Sequence, residues 1–265
     1  MSLFSLFRPA PATPATRVPK PVVCPKLDGA QLATVWRGHR TGGDVFDAIT
    51  VSGHRALLLL LDISGSRTEA LELAADVQDI FRQEGDALFA KSDTNDSDLL
   101  AQLAFKLNRG LLQLADGVHM TAAFLACYDE RVGALTYINA GHVPGLIRYD
   151  HEVIELGASG LPLGLFSHAT YEPGWQALQP SSALFLATRG FFEARGAHGE
   201  NFGIERTKEA LNSVRYMTAQ DLCAEMMLRL RHFVPRDRIE NDVTTVALVR
   251  TAVATKPTTK SAHAD

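Results

Sequence analysis

Leu57-Leu58-Leu59-Leu60-Leu61 runs directly into Asp62-Ile63-Ser64-Gly65-Ser66. Five consecutive leucines have no polar face, so the element they form must be covered on every side. A run this short beside turn residues reads as a strand buried on both faces, although periodicity alone does not separate it from a buried helix. Asp62 stands where such a strand would emerge. Ser66-Arg67-Thr68-Glu69 then has the form of a capping box. In it, Ser66 accepts from the N–H of Glu69, and Glu69 reaches back to the N–H of Ser66. An acid held between a rigid strand and a helix start is either a turn cap or part of a site.

The flanking patterns supply the layers that such a strand needs. Ala33-Thr34-Val35-Trp36 reads as a first strand. A second apolar stretch runs through Ile49 and Val51, and Ser52-Gly53-His54 makes the turn into the leucines. Leu73, Val77, Ile80 and Phe81 recur at helical spacing, as do Leu99, Leu103, Leu107, Leu111 and Leu114. Between these helices Ser92-Asp93-Thr94-Asn95-Asp96-Ser97-Asp98 lacks the full spacing of a calcium loop and reads as solvated. From Thr121 to Leu156 short strands alternate with brief turns, the mark of an antiparallel meander. Ala183–Ala187 is a further strand ending at Thr188-Arg189-Gly190. Helices are expected over 205–211 and from Thr218, with Leu222, Met226, Leu230 and Phe233 on one face. Val243–Val249 is the last strand. Strands, two helices, many strands, helices and a strand make an α+β layout with antiparallel sheets. There is no βαβ alternation and no Gly-rich loop leading into a helix, which excludes a dinucleotide fold.

Composition narrows the function classes. With 26 Lys and Arg against 30 Asp and Glu, the net charge is −4, and no basic excess points to nucleic acid or an anionic membrane. Cys24, Cys127 and Cys223 are odd in number and far apart, which fits neither a disulfide framework nor a structural zinc site. They match a reducing cytoplasm. No apolar run reaches transmembrane length. Residues 1–26 are expected to be a Pro-rich disordered linker, 27–250 a single domain, and 251–265 a disordered tail. Met1–Arg8 is apolar but short, and its basic residue follows the apolar part, the reverse of a signal peptide.

Six stretches taken together resemble the SpoIIE branch of the metal-dependent PPM protein phosphatases, relatives of protein phosphatase 2C. Gly42-Gly43-Asp44-Val45-Phe46-Asp47 is similar to the family's GGDxxD, and Asp62-Ile63-Ser64-Gly65 to its DVSG. Asn139-Ala140-Gly141-His142-Val143-Pro144 is similar to NAGHxP, and Ser159–Leu165 to GLPLGL. Thr188-Arg189-Gly190-Phe191-Phe192-Glu193-Ala194-Arg195 stands where the family has TDGxxEAR. Asn241-Asp242-Val243-Thr244 stands where it has DDxT. The resemblance covers about 33–250 and implies an α-β-β-α sandwich, two stacked antiparallel sheets flanked by helices. It also implies hydrolysis of a phosphoserine or phosphothreonine ester by Mn2+ or Mg2+ held on aspartates. Carried over, Asp44, Asp62 and the Ile63 carbonyl would bind one ion. The second ion would use Asp62 and the acids of TDG and DDxT.

At two of those positions the sequence departs from the family. Arg189 replaces the TDG acid, and guanidinium has five donors and no acceptor. Asn241 replaces the first acid of DDxT and offers only a weak amide oxygen. Strand alternation speaks against Asp242 substituting for it. Arg67 adds a cation near the helix start. The expectation is at most one divalent ion, with Arg189 paired to Asp62. His142 reads as a structural residue beside Pro144, and Glu193 and Arg195 as solvated or paired.

Three functions stay open. One is a cytoplasmic protein-serine/threonine phosphatase of reduced activity in bacterial partner switching, acting on a phosphorylated regulatory protein such as a STAS-type anti-anti-sigma factor. Another is a pseudophosphatase that only binds its protein partner. The third is a non-catalytic subunit of a larger signalling assembly. The Pro-rich N-terminus leaves no room for a sensor domain, so a separate sensor chain is expected.

Overall fold

In the computed structural model, residues 17–38, 43–63, 67–90, 95–114, 120–150, 152–216, 218–235 and 239–251 are described. The Ser64-Gly65-Ser66 turn and its capping box, Gly42, most of the acidic loop, the first sixteen residues and the tail from 252 lie outside them, as does the Arg67 side chain.

The leucine run is the middle of a strand. β1 (Ala30–Arg37), β2 (Gly43–Val51) and β3 (Arg55–Ile63) are followed by α1 (Arg67–Phe89) and α2 (Asp96–Leu114). Then come β4 (Thr121–Asp129), β5 (Ala134–Ala140), β6 (Gly145–Tyr149), β7 (Glu152–Leu156), β8 (Gly174–Ala177) and β9 (Ala183–Ala187). α3 (Arg189–Phe192), α4 (Gly203–Ser213), α5 (Ala219–Phe233) and β10 (Val243–Arg250) complete the chain. Two antiparallel five-stranded sheets result, ordered β1-β10-β9-β6-β7 and β2-β3-β4-β5-β8.

Leucines 57 to 61 are each no more than 1% exposed, and the period-2 geometry of a strand explains why all five must be apolar. Leu58 and Leu60 point between the sheets, where they meet Phe46, Phe124, Leu184, Leu186, Val246 and Leu248. Leu57, Leu59 and Leu61 point outward under α1 and α2, against Val77, Phe81, Leu103 and Leu107. α4 and α5 cover the outer face of the other sheet, with Leu211, Leu222, Met226 and Leu230 packed on Phe185 and Ala247. The α-β-β-α sandwich is therefore the arrangement that lets an unbroken leucine strand bury both faces.

Local chemistry sets the element ends. The β2–β3 turn takes positive φ at Ser52 (46°) and Gly53 (74°), as a tight hairpin requires. Thr218 and Asp221 close a capping box at the start of α5, each side chain bonded to the other residue's N–H. β8 and α3 were not anticipated from the sequence: β8 has four residues and so does α3, too few to show a period.

Asp47 is fully buried within GGDxxD and takes two bonds from Arg82 of α1, at 2.7 and 2.9 Å. It stands an odd number of residues from Asp44 and so faces the helical layer, where it pins α1 to β2. Residues 17–27 have no regular structure but lie against the domain. The main chain of Lys20 exchanges two hydrogen bonds with the Gln78 side chain, and Val22, Cys24 and Leu27 pack on the inter-sheet core.

Candidate functional site

Asp44 and Asp62 are register partners across β2 and β3. Both share the parity of residues that face the space between the sheets, namely Phe46 and Ala48 in β2 and Leu58 and Leu60 in β3. They therefore stand at the open end of the sandwich, where the apolar interior gives way to carboxylates. The other sheet brings Thr188, just after β9, and Thr244 of β10 to the same end. Their hydroxyls donate to one Asp44 oxygen at 2.5 and 3.1 Å. The Thr188 N–H donates to the Thr244 carbonyl and the Thr244 N–H to the Thr188 hydroxyl, both at 3.0 Å, which locks the pair.

Burial pushes the Asp44 carboxyl up to about 7, and the charges of Asp62 and Asp242 add to the effect, against the hydroxyl donors that favour the anion. Asp242 is buried while Asn241 is exposed. Both residues precede β10, so strand alternation does not fix which of them faces the carboxylates, and Asp242 is close enough for its charge to act on Asp44. Gly190 allows the close fit, because a Cβ there would lie 2.1 Å from the Asp242 carbonyl oxygen.

Arg189 opens α3 beside Asp62. Its N–H donates to Asp62 Oδ2 at 3.2 Å, and its guanidinium Nη2 lies 3.5 Å from Oδ1. The Arg189 side chain is 52% exposed and that of Asp62 13%, so the pair sits at a water boundary and contributes positioning more than stability. The Ile63 carbonyl faces Gly43, whose absent side chain leaves room for it: a Cβ would meet that oxygen at 3.0 Å. Asn241 lies beside Gly190 and lines a polar pocket of about 290 Å³ with Glu193, Arg195 and Asn201.

The NAGHxP and GLPLGL stretches are structural in their visible contacts. Asn139 accepts from the His142 N–H at 2.8 Å and donates to the carbonyls of Leu156 and Val143. Buried Asn108 of α2 accepts from the Gly164 N–H and donates to the Phe166 carbonyl, at 2.8 and 2.9 Å. His142 is buried with Nδ1 3.0 Å from the Val143 carbonyl, and burial pulls its pKa down, so a neutral ring donating from Nδ1 fits. Thr188, Thr244 and Asp242 carry no ligand signal of their own in the sequence, although all three occupy positions within the quoted motifs.

Among the described residues no group of three or more His, Cys, Asp or Glu side chains is arranged as a metal cluster. Two facing carboxylates with mutual repulsion, beside a main-chain carbonyl, fit one hard cation with water completing its shell. Around this pair, Arg189 contributes a cation and Asn241 offers only an amide oxygen.

Comparison with known proteins agrees with this architecture. The family model for stage II sporulation protein E matches residues 52–251. Stage II sporulation protein E of Bacillus subtilis (strain 168) is 25% identical over 157 residues, which are 58% of this chain and 18% of that protein. This chain thus spans under a fifth of the length of that curated relative. Among solved structures, the SiaA PP2C domain of Pseudomonas aeruginosa superimposes with a TM-score of 0.71 at 18% identity, covering 83% of this chain and 86% of that one. The RsbU and RsbW domains of Rv1364c from Mycobacterium tuberculosis give a TM-score of 0.68 at 23% identity, covering 86% and 62%. The PP2C phosphatase domain of Bacillus subtilis SpoIIE with a fragment of its regulatory domain gives 0.70 at 16%, covering 85% and 64%.

Proposed function

The chain belongs to the SpoIIE family, and from that premise we propose that it recognises phosphoserine or phosphothreonine on a regulatory protein and hydrolyses the ester slowly, with one ion instead of two. The observation that carries this reading is Asp44 facing Asp62 at the mouth of the sandwich, with Arg189 in contact with Asp62. Asp44, Asp62 and the Ile63 carbonyl would hold Mg2+ or Mn2+. When bound there, such an ion supplies Lewis-acid activation of water and screens phosphate charge.

The remaining steps belong to the protein. Thr188 and Thr244 aim the Asp44 carboxylate by donating to one of its oxygens and leave the other for a ligand. Arg189 presents guanidinium donors at the same mouth, in the geometry that binds phosphoryl oxygens. Its partner Asp62 is the group that a cation must also engage, so a substrate phosphoryl drawing Arg189 away frees that carboxylate. The partner class follows from the family resemblance: a small phosphorylated regulator of the STAS type in partner switching.

A second reading, a non-catalytic binding module, is favoured by the same contact, because a guanidinium on Asp62 competes with the dication that chemistry needs. Phosphate release from a phosphoserine protein with Mn2+, run beside Asp62→Ala, separates the two. Slow turnover that vanishes in the variant supports the enzyme. Silence in both, with retained binding of the phosphoprotein, supports the module.

A further inference from the structure

A mostly apolar concavity lies away from the carboxylates. It is a groove of about 740 Å³ over the outer side of α2, with α1 on one flank and residues 168–171 on the other. Ile80 and Glu84 form its α1 wall, and Ala101, Phe105, Arg109 and Gly110 its α2 wall. Phe105 is 41% exposed on the outer face of α2, with the Arg109 guanidinium 5.8 Å from its ring centroid. At its α1 flank Ile80 packs directly over Gly110, where a Cβ would sit 2.4 Å from Ile80 Cδ1.

The path of the N-terminal segment points at this groove. Residues 20 to 17 cross the outside of α1 from one flank to the other. The Lys20 main chain is tied to Gln78, which is buried on the β2 side. The Lys20 ammonium reaches Asp79 on the outer face, and Arg17 pairs with Asp79 and Asp76. At 100° per residue, Asp76, Ile80 and Glu84 form one ridge, so Arg17 sits at the head of the ridge that walls the groove. From Asp76 to Glu84 the helix rises about 12 Å. Upstream of Arg17 the sequence carries prolines and then Leu3-Phe4-Ser5-Leu6-Phe7. Ten residues reach up to about 33 Å, which brings Phe7 to any part of the groove.

We propose that the apolar segment Leu3–Phe7 docks in the α1–α2 groove of its own chain. Its leucine and phenylalanine side chains supply the large apolar surface that the groove lacks, and the Arg17 and Lys20 ion pairs with α1 set the direction of approach. The driving force is the removal of Phe105, Ile80 and the segment's own side chains from water. The inference rests on the fold alone and stands whether or not the carboxylate site turns over phosphate.

The test compares amide hydrogen exchange in the full chain and in a full-length Phe4→Ser, Leu6→Ser, Phe7→Ser variant. Residues 101–113 and 168–171 are expected to exchange about tenfold faster in the variant, while β3 and β4 are unchanged. A second arm pairs Leu6→Cys with Gln102→Cys or Gln113→Cys in a Cys24→Ser background; Cys127 and Cys223 are buried. Oxidation at low protein concentration should give an intramolecular bond in the monomer. Unchanged exchange in the triple variant overturns the proposal. So does protection that appears only as concentration rises, or a cross-link found only between chains, either of which would assign the groove to a second copy.

Discussion

Replacing Asp44 with Asn should stabilise the metal-free protein at alkaline pH. Burial and the neighbouring acids hold this carboxyl at about 7, against 3.8 for a free aspartate. The folded state therefore binds a proton that the unfolded chain has already lost between those two values. By linkage, stability falls as pH rises through that window, and the whole penalty is present above about pH 7. The displacement corresponds to an upper limit of about 4 kcal/mol. Because Asp44 keeps a partly exposed edge, we expect about 2–4 kcal/mol. Asparagine keeps the shape and can still accept from Thr188 and Thr244 but carries no charge. Urea denaturation followed by far-UV circular dichroism, in chelator at pH 5 and pH 8, reads the effect. Only the part of the window above pH 5 is sampled, about two pKa units or at most about 2.7 kcal/mol. The wild type should therefore lose about 1–3 kcal/mol more stability than Asp44→Asn across the interval, and Mn2+ should restore part of the loss in the wild type alone. Equal pH slopes, or a variant less stable than the wild type at pH 8, would refute the reasoning.

Arg82→Ala leaves Asp47 buried and unpaired, and is expected to cost about 3 kcal/mol. Asp47→Ala should cost less, since the freed Arg82 can turn its head to water; the order of the two unfolding free energies checks this. Gly190→Ala must displace the Asp242 carbonyl, which a Cβ would approach to 2.1 Å, and should cost about 1–3 kcal/mol. Calorimetry should show a lowered Tm; an unchanged one would mean the α3–β10 contact is looser than described.

The leucine run made the layered fold readable, because a strand without a polar face needs cover on both sides. The register of Asp44 against Asp62 follows from the same strand and its hairpin turn. The short elements β8 and α3 were hidden because four residues show no period. The threonines around Asp44 were hidden for a different reason: hydroxyls at strand ends are common, and only the approach of β9 and β10 from the second sheet gives them an acceptor. Strand alternation could not place Asn241 and Asp242, because both precede β10. The close packing of Ile80 on Gly110 between α1 and α2 is a tertiary contact with no local signature.

Counting bound ions tests most directly whether Arg189 and Asn241 leave one cation site. Mn2+ titration followed by electron paramagnetic resonance should give at most one bound ion per chain in the wild type. In the double variant Arg189→Asp with Asn241→Asp it should give two, with a gain in phosphoserine hydrolysis. Two ions in the wild type at about 3.5–4 Å separation, as in a two-metal hydrolase, would contradict the account.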